Sequence, residues 1–455
     1  MILITIDRSR IRKLVDREKK KFIEAHPESR KLFERARKSL IAGVPMNWMI
    51  RWAGPFPIFA AEAKGAYITD IDGHRYLDLC LGDTGSMFGH SPKAVIDAVT
   101  TQVTKGITMM LPSEDSVWVG EELARRFGLP YWQISMTATD ANRFSIRLAR
   151  EITGRKKILV FNGCYHGSVD EALVWCEDGV TVPGPANIGP AVNPAVTTQV
   201  IEFNDIDALE KALSTEDIAC ILCEPAMTNC GIILPEAGYH DALREITKRY
   251  DTLLIIDETH TICTGPGGYT GEFKLQPDII TIGKPIAGGV PAAAYGISQE
   301  VADKIQAHIA RTMEENASDS GIGGTLSGNV LATAAMRATL EQVITKDAYD
   351  RMIPLAVRFT EGVDKIIKAE ELPWHVIRLG ARAEYSFMPT PPRNGTEAEA
   401  GEDSELDRLM HLMTLNRGIL LTPFHNMALI SPETTAEDID FHTKVFADCI
   451  RELIG

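Results

Sequence analysis

The chain has 455 residues, of which 45% are hydrophobic, so it is long enough for two domains and can bury a large core. Its 47 basic and 62 acidic side chains give a net charge of -15, which argues against nucleic acid and anionic membranes as partners. No stretch approaches the roughly 18 uncharged apolar residues of a membrane-spanning helix. We therefore expect a cytoplasmic protein that binds neither nucleic acid nor membrane.

The eight cysteines and eleven histidines show no spacing typical of a metal site, so we predict no metal. The one close cysteine pair, Cys220 and Cys223, lies inside an apolar run. We expect both side chains in the core, with their thiols reduced.

Apolar runs alternate with helical stretches along the middle of the chain, at 158–161, 219–223, 253–256, 278–282 and 292–296. This alternation predicts an α/β fold in which a mainly parallel central sheet is flanked by helices. We predict a large domain over 76–330 and a small C-terminal domain over 331–455. The segment 1–75 begins with a charged helix that we expect to pack on a partner subunit, and it joins the small domain.

Residues 131–150 read as a strand, a turn of small residues and a helix. The turn at 137–142 offers backbone N–H groups and hydroxyls, which at the start of a helix can bind an anion. An ordinary threonine N-cap explains the same residues, and both interpretations stay open.

The apolar run at 158–161 leads through a short turn to Tyr165 and His166. An aromatic ring at the end of a strand can stack on the face of a flat ligand. A lone Tyr-His pair more often fills core or surface. Its interest here lies in its place between the turn at 137–142 and the next two strand ends.

Two later apolar runs each end on a side chain that can do chemistry. Residues 253–256 run into Asp257, and 278–282 run into Gly283 and Lys284. Ligands of open α/β sheets bind outside the carboxyl ends of the strands, so we expect Asp257 and Lys284 to face one crevice. The pair suits pyridoxal phosphate, because a lysine can hold its aldehyde as a Schiff base and a carboxylate can keep its pyridine nitrogen protonated.

The residues at these strand ends also have other interpretations. An aspartate at a strand end is often the N-cap of the following turn, and this alternative for Asp257 stays open. A phosphate-binding P-loop is excluded, because Pro285 replaces the required Ser or Thr and Asp278 replaces the leading glycine. The glycines at 265–268 lack the spacing of a dinucleotide-binding loop.

Taken in chain order, these motifs resemble the class III (fold-type I) pyridoxal-phosphate aminotransferases, and within them the glutamate-1-semialdehyde aminomutase and β-amino-acid aminotransferase branch. The matching segments span residues from about 45 to 340 and are 70–78, 89–92, 137–141, 163–167, 224–225, 257–258, 283–291 and 324–329. The resemblance implies the fold of a fold-type I PLP transferase, with a smaller α+β domain beside the large one.

The resemblance also assigns roles. Lys284 would form the Schiff base and shuttle a proton, and Asp257 would pair with the pyridine nitrogen. Thr325 would reach the phosphate of the neighbouring subunit's cofactor, which implies a homodimer with active sites at the subunit interface. The other cofactor contacts that the resemblance implies are Thr137, Ala138, Thr139, Tyr165, His166, Glu224 and Thr259.

The chain departs from the family pattern at two of these positions. Ala138 stands where the phosphate loop usually has glycine, so a methyl group reduces the conformational freedom of that turn. Thr259, followed by His260, replaces an apolar β-branched residue that packs on the second face of the ring. We expect cofactor binding with adjusted geometry and a more polar second face.

Three residues are predicted to contact substrate: Arg51, Trp52 and His425. Arg51 matches the position where the aminomutase branch holds the substrate carboxylate, which suits a guanidinium. A surface arginine packed on Trp48 or Trp52 is an equally good interpretation. The segment 420–426 contains no arginine, so a second carboxylate site is not evident.

The function that these features favour is amino transfer from an amino acid or amine donor to a keto acid or ketone acceptor, by a ping-pong mechanism. The alternative is a PLP-dependent aminomutase or racemase, which uses the same lysine and cofactor but returns the amino group to the same carbon skeleton. A cofactor-free scaffold of the same fold is the non-catalytic alternative.

Overall fold

The computed structural model describes residues 6–314 and 321–455. Among these residues, no helix combines the length and the apolar composition needed to cross a membrane. The predicted segments 1–75 and 76–330 also include residues 1–5 and 315–320, which lie outside the described part.

Within the described residues the helices are, in chain order, α1 (Arg8–Ala25), α2 (Pro27–Ala36), α3 (Lys93–Val103), α4 (Glu114–Phe127), α5 (Ala138–Thr153), α6 (Ile206–Leu213), α7 (Tyr239–Arg249), α8 (Gly268–Phe273), α9 (Gln299–Glu314), α10 (Val330–Gln342), α11 (Lys346–Ala369), α12 (Gly395–Ala400), α13 (Ser404–Leu415) and α14 (Ala436–Ile454).

The strands are β1 (Ala60–Lys64), β2 (Tyr67–Asp70), β3 (Arg75–Asp78), β4 (Tyr131–Ser135), β5 (Lys157–Phe161), β6 (Val174–Glu177), β7 (Val180–Pro183), β8 (Thr198–Ile201), β9 (Ile218–Cys223), β10 (Leu253–Asp257), β11 (Ile279–Ile282), β12 (Ala293–Ile297), β13 (His375–Leu379), β14 (Arg382–Ser386), β15 (Ile419–Leu420) and β16 (Met427–Leu429). Each of the five predicted apolar runs is a strand, namely β5, β9, β10, β11 and β12.

The chain divides into two compact units. The first consists of Met1–Pro92, Asp347–Pro391 and Gly401–Gly455, and the second consists of Lys93–Lys346 and Pro392–Ala400. The division into domains over 1–75, 76–330 and 331–455 stays a prediction.

The second unit is built on a seven-stranded sheet in the order β4-β12-β11-β10-β9-β5-β8. Strands β11, β10, β9, β5 and β8 pair in parallel, whereas β12 is antiparallel to both of its neighbours. The antiparallel strand follows from the short connection between Ile282 and Ala293, which leaves no room for the helical crossover that a parallel return requires. The predicted α/β fold with a mainly parallel central sheet is confirmed.

Helices cover both faces of this sheet. Side chains of α5 and α9 share one hydrophobic core with alternate residues of the strands, and side chains of α6 and α7 share the other. Cys220 lies in the first core and Cys223 in the second. Strands β9, β10 and β11 are buried on both faces, which explains why they read as continuous apolar runs.

The first unit contains a four-stranded sheet in the order β1-β2-β3-β15 and a three-stranded antiparallel sheet in the order β13-β14-β16. Its main core combines side chains from α1, α11, α13 and α14 with residues of both sheets. These elements hold the segments that carry the predicted substrate residues Arg51, Trp52 and His425.

Candidate functional site

Three neighbouring strands of the second unit deliver the predicted reactive side chains. Glu224 follows β9 directly, Asp257 is the last residue of β10, and Lys284 comes two residues after β11. Because β9, β10 and β11 are adjacent and parallel, their carboxyl ends lie at one edge of the sheet. The structure therefore places all three side chains at the edge where open α/β sheets bind ligands.

Asp257 is buried and held by polar neighbours. Its Oδ2 accepts hydrogen bonds from Asn142 Nδ2 at 2.9 Å and from His166 Nδ1 at 3.0 Å. Its Oδ1 accepts a bond from the Thr259 backbone N–H at 3.0 Å. Thr281, which is paired with Asp257 across the strands, donates to Asn142 Oδ1 at 2.6 Å and so fixes the amide that faces the carboxylate. Asp257 therefore caps the turn that follows β10 through its Oδ1, as the alternative interpretation has it, while its Oδ2 is oriented by Asn142 and His166.

The charge state of Asp257 follows from this environment. Burial acts against a charged carboxylate, but His166 and the hydrogen bonds from Thr259 and Asn142 outweigh it and lower the pKa of Asp257. Burial likewise acts against charge on His166, but Cys164 and Asp257 raise the pKa of that imidazole. We take the Asp257 contact as the main cause, because it is a direct hydrogen bond to an ionised group. The site thus holds a buried carboxylate in its ionised form.

Lys284 is half-buried and has an unusual backbone. Its φ is 49°, in the left-handed region that only glycine adopts without strain, and it opens a short 3-10 helix, Lys284–Ala287. Its Nζ lies 2.7 Å from His260 Nε2. A Cβ atom on the preceding Gly283 would stand 3.0 Å from the Ala138 Cβ atom, so the lysine turn and the first residue of α5 are in close contact.

The predicted anion cradle is the start of α5. Thr137 is the N-cap, and its hydroxyl bonds to Asp140 in a capping box. Thr139 Oγ1 accepts a bond from the Ser168 N–H at 3.1 Å. The N-cap interpretation of Thr137 is therefore correct. It leaves the cradle intact, since the first amides of a helix have no partner within the helix and favour anions.

Glu224 and Tyr165 are linked through hydrogen bonds at this edge of the sheet. Glu224 accepts bonds from the Thr228 hydroxyl at 2.5 Å, the Thr228 N–H at 3.1 Å and Asn229 Nδ2 at 2.9 Å, while burial raises its pKa. Asn229 Nδ2 also reaches the Tyr165 carbonyl at 3.5 Å. Through Asn229, Glu224 thus helps to hold the loop that carries the half-buried Tyr165. Thr325 is exposed.

The site fits a ligand that combines a phosphate, an aldehyde and an aromatic ring with a protonated nitrogen. Among the described residues, no hydrogen-bond partner reaches the buried Thr259 Oγ1, and Thr259 is only 5% exposed. A buried hydroxyl is rarely left without a partner, so this orphan marks a space that a polar ligand completes. An ionised carboxylate, a lysine and a helix N-terminus stand at the same sheet edge, which matches the three polar ends of pyridoxal phosphate.

Arg51, in the first unit, is exposed and lies over an aromatic ring. Its guanidinium carbon is 5.4 Å from the centroid of Phe424, and Trp48 meets the same ring edge-on at 5.3 Å. The ring that Arg51 covers is therefore Phe424, not Trp48 or Trp52 as the packing alternative has it. A guanidinium that stacks on a ring keeps its in-plane N–H groups available for a carboxylate.

The other two predicted substrate residues also lie in the first unit. Trp52 is half-buried and packs against the aromatic cluster of Phe22 and Phe56. His425 Nδ1 lies 3.5 Å from Glu384 Oε1, and burial raises the pKa of Glu384 to about 8. His425 therefore stands beside a carboxyl group that is protonated near neutral pH.

One group of side chains in the described residues has the composition of a metal site. Potential ligand atoms of His26, Asp70 and His74 lie within 4.8 Å of one another. They already form a hydrogen-bonded network: Tyr76 bonds to Asp70 at 2.8 Å and to His26 at 2.7 Å, and His26 bonds to the Phe22 carbonyl at 2.7 Å. Nothing in this network calls for an ion.

Sequence reasoning gave no role to Asn142, Thr281 or His260. Signals for two of them were present: Thr281 is a polar residue inside an apolar run, and His260 follows Thr259, which itself stands where the family pattern is apolar. Asn142 is the last residue of the stretch 137–142, which was considered only for anion binding, and only the folded chain brings its amide to Asp257.

Fold and site together place the chain among the pyridoxal-phosphate enzymes of fold type I. A family model, aminotransferase class-III, matches residues 48–450, so the chain belongs to the class III aminotransferase family. Pyridoxal phosphate is its cofactor and small molecules are its substrates.

Three similar proteins illustrate the relationship. A glutamate-1-semialdehyde 2,1-aminomutase from Persephonella marina is 32% identical over 433 residues, which cover 93% of this chain and 98% of that protein. The crystal structure of a glutamate-1-semialdehyde-aminomutase from Pseudomonas aeruginosa PAO1 is 50% identical, with a TM-score of 0.96 and coverage of 98% and 99%; a lysine-to-alanine variant of it has been solved in complex with PMP. An omega-transaminase from Sphaerobacter thermophilus is 27% identical, with a TM-score of 0.85 and coverage of 94% and 98%.

Proposed function

We propose that the protein is a PLP-dependent aminomutase that moves an amino group within one small carboxylated amino aldehyde, of the glutamate 1-semialdehyde type. The observation that carries the proposal is the 50% identity, over nearly the whole of both chains, to a structure described as such an aminomutase. The curated relative at 32% identity carries the same description. The comparisons thus favour the aminomutase alternative over transfer between two substrates.

When bound, pyridoxal phosphate supplies an aldehyde that bonds covalently to amines and a ring that withdraws electrons from the attached carbon. Lys284 Nζ would hold this aldehyde between turnovers and, when freed by a substrate amine, would carry a proton at the reacting carbons. The Asp257 carboxylate, whose Oδ1 has one hydrogen bond from the chain, would pair with the ring nitrogen. Because its carboxylate is ionised, Asp257 keeps that nitrogen protonated.

The remaining cofactor contacts follow from the elements that carry them. The Ala138 and Thr139 amides at the start of α5, with the Thr139 hydroxyl, hold the phosphate, and the capping box keeps Thr137 at the rim of that cradle. Tyr165 stacks on the ring, and Thr259 covers its other face with a hydroxyl in place of a methyl group. Arg51 holds the substrate carboxylate with its in-plane N–H groups, with Trp52 and His425 as neighbouring substrate contacts.

The functional form is a homodimer in which Thr325 reaches the partner's phosphate. An exposed apolar segment in the second unit supports this assembly, because a protein rarely leaves so many large apolar side chains in water. Its exposed members are Val103, Ile107, Met109, Met110 and Leu111. We name residues 103–111 the apolar segment.

Two-substrate transamination is the second candidate. It is favoured by the similarity to an omega-transaminase at 27% identity and to a β-phenylalanine aminotransferase from Variovorax paradoxus at 25% identity, both with TM-scores of 0.85.

One experiment separates the two candidates. The purified holoenzyme is given glutamate 1-semialdehyde alone, and the 2,1-amino-shifted isomer is measured. We expect many turnovers without an added oxo acid. Turnover that stops after one equivalent and resumes only with an oxo acid would establish transamination instead. A colourless protein, with no absorption band that borohydride bleaches and that Lys284→Ala removes, would support the cofactor-free scaffold.

A further inference from the structure

His260 directly follows Thr259, the residue at which this chain departs from the apolar residue of the family pattern. It is only 5% exposed. Its Nε2 lies 2.7 Å from Lys284 Nζ, a hydrogen-bond distance. The imidazole of His260 thus contacts the amine of the predicted Schiff-base lysine.

Both ends of this contact are anchored by the backbone. The His260 carbonyl accepts a bond from the Cys263 N–H at 3.2 Å, in the turn that leads into the short 3-10 helix Thr261–Thr264. The ring makes no capping bond to that helix, and its Nε2 faces the lysine amine. Lys284 is held by its left-handed backbone and by the close packing of Gly283 on Ala138. The backbone positions of both residues therefore bring the two side chains into contact.

The chemistry of the two groups sets the direction of the hydrogen bond. A lysine ammonium has three donors and no acceptor, so the imidazole nitrogen that faces it offers its lone pair. The amine must lose a proton before it can attack a carbonyl carbon. Imidazole exchanges protons near neutral pH, which suits it to take this one.

We propose that His260 is the proton acceptor of Lys284: its Nε2 receives the proton of the lysine ammonium when Nζ bonds to the cofactor aldehyde, and returns it when Nζ is released. This proposal rests on the proposed role of Lys284. In the forward step the N–H bond breaks, Nε2 gains the proton, Nζ forms a double bond to the aldehyde carbon, and the aldehyde oxygen leaves as water with the two remaining amine protons. Charge is conserved, because the positive charge passes from the ammonium to the imidazolium.

Three carboxylates at this sheet edge are held by hydrogen bonds from other residues. Asp257 bonds to His166, Asn142 and Thr259. Glu258 accepts bonds from the Thr261 hydroxyl at 2.5 Å and from the N–H groups of Tyr269 and Thr270. Glu224 is bound by Thr228 and Asn229, as described above. His260 is a base that the structure brings within hydrogen-bond distance of Nζ.

The test measures capture of the cofactor by the full chain from which it has been removed, so that it does not depend on turnover. Pyridoxal phosphate is added between pH 6.5 and 10, the rate of the new absorption band is recorded, and borohydride followed by peptide mapping locates the adduct. At pH 7 we expect His260→Gln to capture at least about tenfold more slowly than wild type. The gap should close towards pH 10, where hydroxide takes the proton instead.

Two further variants make the result specific. His260→Ala should regain speed when imidazole is added, because free imidazole can enter the space and accept the proton. His74→Gln, a change of the same kind at a half-exposed histidine of the first unit, should match wild type. Circular dichroism identifies any variant that fails to fold. If His260→Gln does not fold, the response of His260→Ala to added imidazole tests the proposal instead.

The possible failures are distinguishable. Equal rates for wild type and His260→Gln, or a loss by one constant factor at every pH with no response to imidazole, would overturn the role of His260. Wild type that forms no adduct at Lys284 would overturn the proposed function itself.

Discussion

At the scale of single residues, the site is organised around Asp257, whose carboxylate is buried and yet ionised. Removing a charge from water is costly, and three hydrogen bonds, one of them from His166, offset that cost. The same contacts fix the direction in which the carboxylate points. The same hydrogen bonds therefore both keep the Asp257 carboxylate ionised and fix its orientation.

This arrangement predicts a pH window for stability. The pKa of Asp257 is lowered from 3.8 to about 2, so its contribution is present above about pH 4 and is lost as the pH falls towards 2. The pKa of His166 is raised from 6.5 to about 10, so its contribution is complete below about pH 6.5 and is lost as the pH rises towards 10. The pair should therefore stabilise the fold most between about pH 4 and 6.5.

Asp257→Asn tests this window. Denaturant titration at pH 5.5 should show a free energy of unfolding lower than that of wild type by about 3 kcal/mol, with a clearly smaller difference at pH 9.5. Asp217→Asn, which breaks the half-exposed ion pair with Lys157, should cost less than about 1 kcal/mol. A loss for Asp257→Asn that is the same at both pH values would mean that ionisation of the pair does not stabilise the fold.

At the scale of secondary-structure elements, the loop after β5 and the start of α5 are fitted to each other through Gly167. Its φ is 81°, and a Cβ atom there would lie 3.0 Å from Thr139 Cα and closer still to Thr139 Oγ1. Only a glycine lets the loop approach the anion cradle this closely.

Gly167→Ala should therefore distort the cradle. Gly179 is a matched control, because its φ is 78° and an added Cβ would meet nothing within 4 Å. Both alanine variants carry the same backbone strain, so the excess loss in Gly167→Ala measures the clash. We expect it to be about 1–3 kcal/mol in the free energy of unfolding, with faster loss of pyridoxal phosphate on dialysis. Equal behaviour of the two variants would show that the cradle accommodates the methyl group.

Some secondary-structure elements and contacts of the second unit could be predicted from the sequence, and others could not. Five strands of the second unit were predictable because each carries an apolar run, and strand ends then pointed to Asp257 and Lys284. Asn142 and Thr281 were not, because their roles depend on hydrogen bonds between residues more than a hundred positions apart. The antiparallel direction of β12 depends on the length of one loop, which apolar patterning does not report.

At the scale of the whole molecule, the proposed dimer predicts the behaviour of the apolar segment. Met110 is 74% exposed and Leu111 is 69% exposed. Met110→Glu with Leu111→Glu should turn the dimer into a monomer in size-exclusion chromatography and weaken retention of the cofactor, because a charge is costly to bury. Ile188→Glu, at an apolar residue that is 90% exposed outside this segment, should leave the dimer intact. A double variant that remains dimeric would place the interface elsewhere.

The backbone of Lys284 has a consequence for engineering. A non-glycine residue in the left-handed region costs about 1 kcal/mol, so this position holds the chain below the stability it could otherwise reach. A procedure that ranks substitutions by fold stability alone will favour glycine or asparagine at this position. Such a stabilising substitution would remove the nucleophile of the proposed reaction.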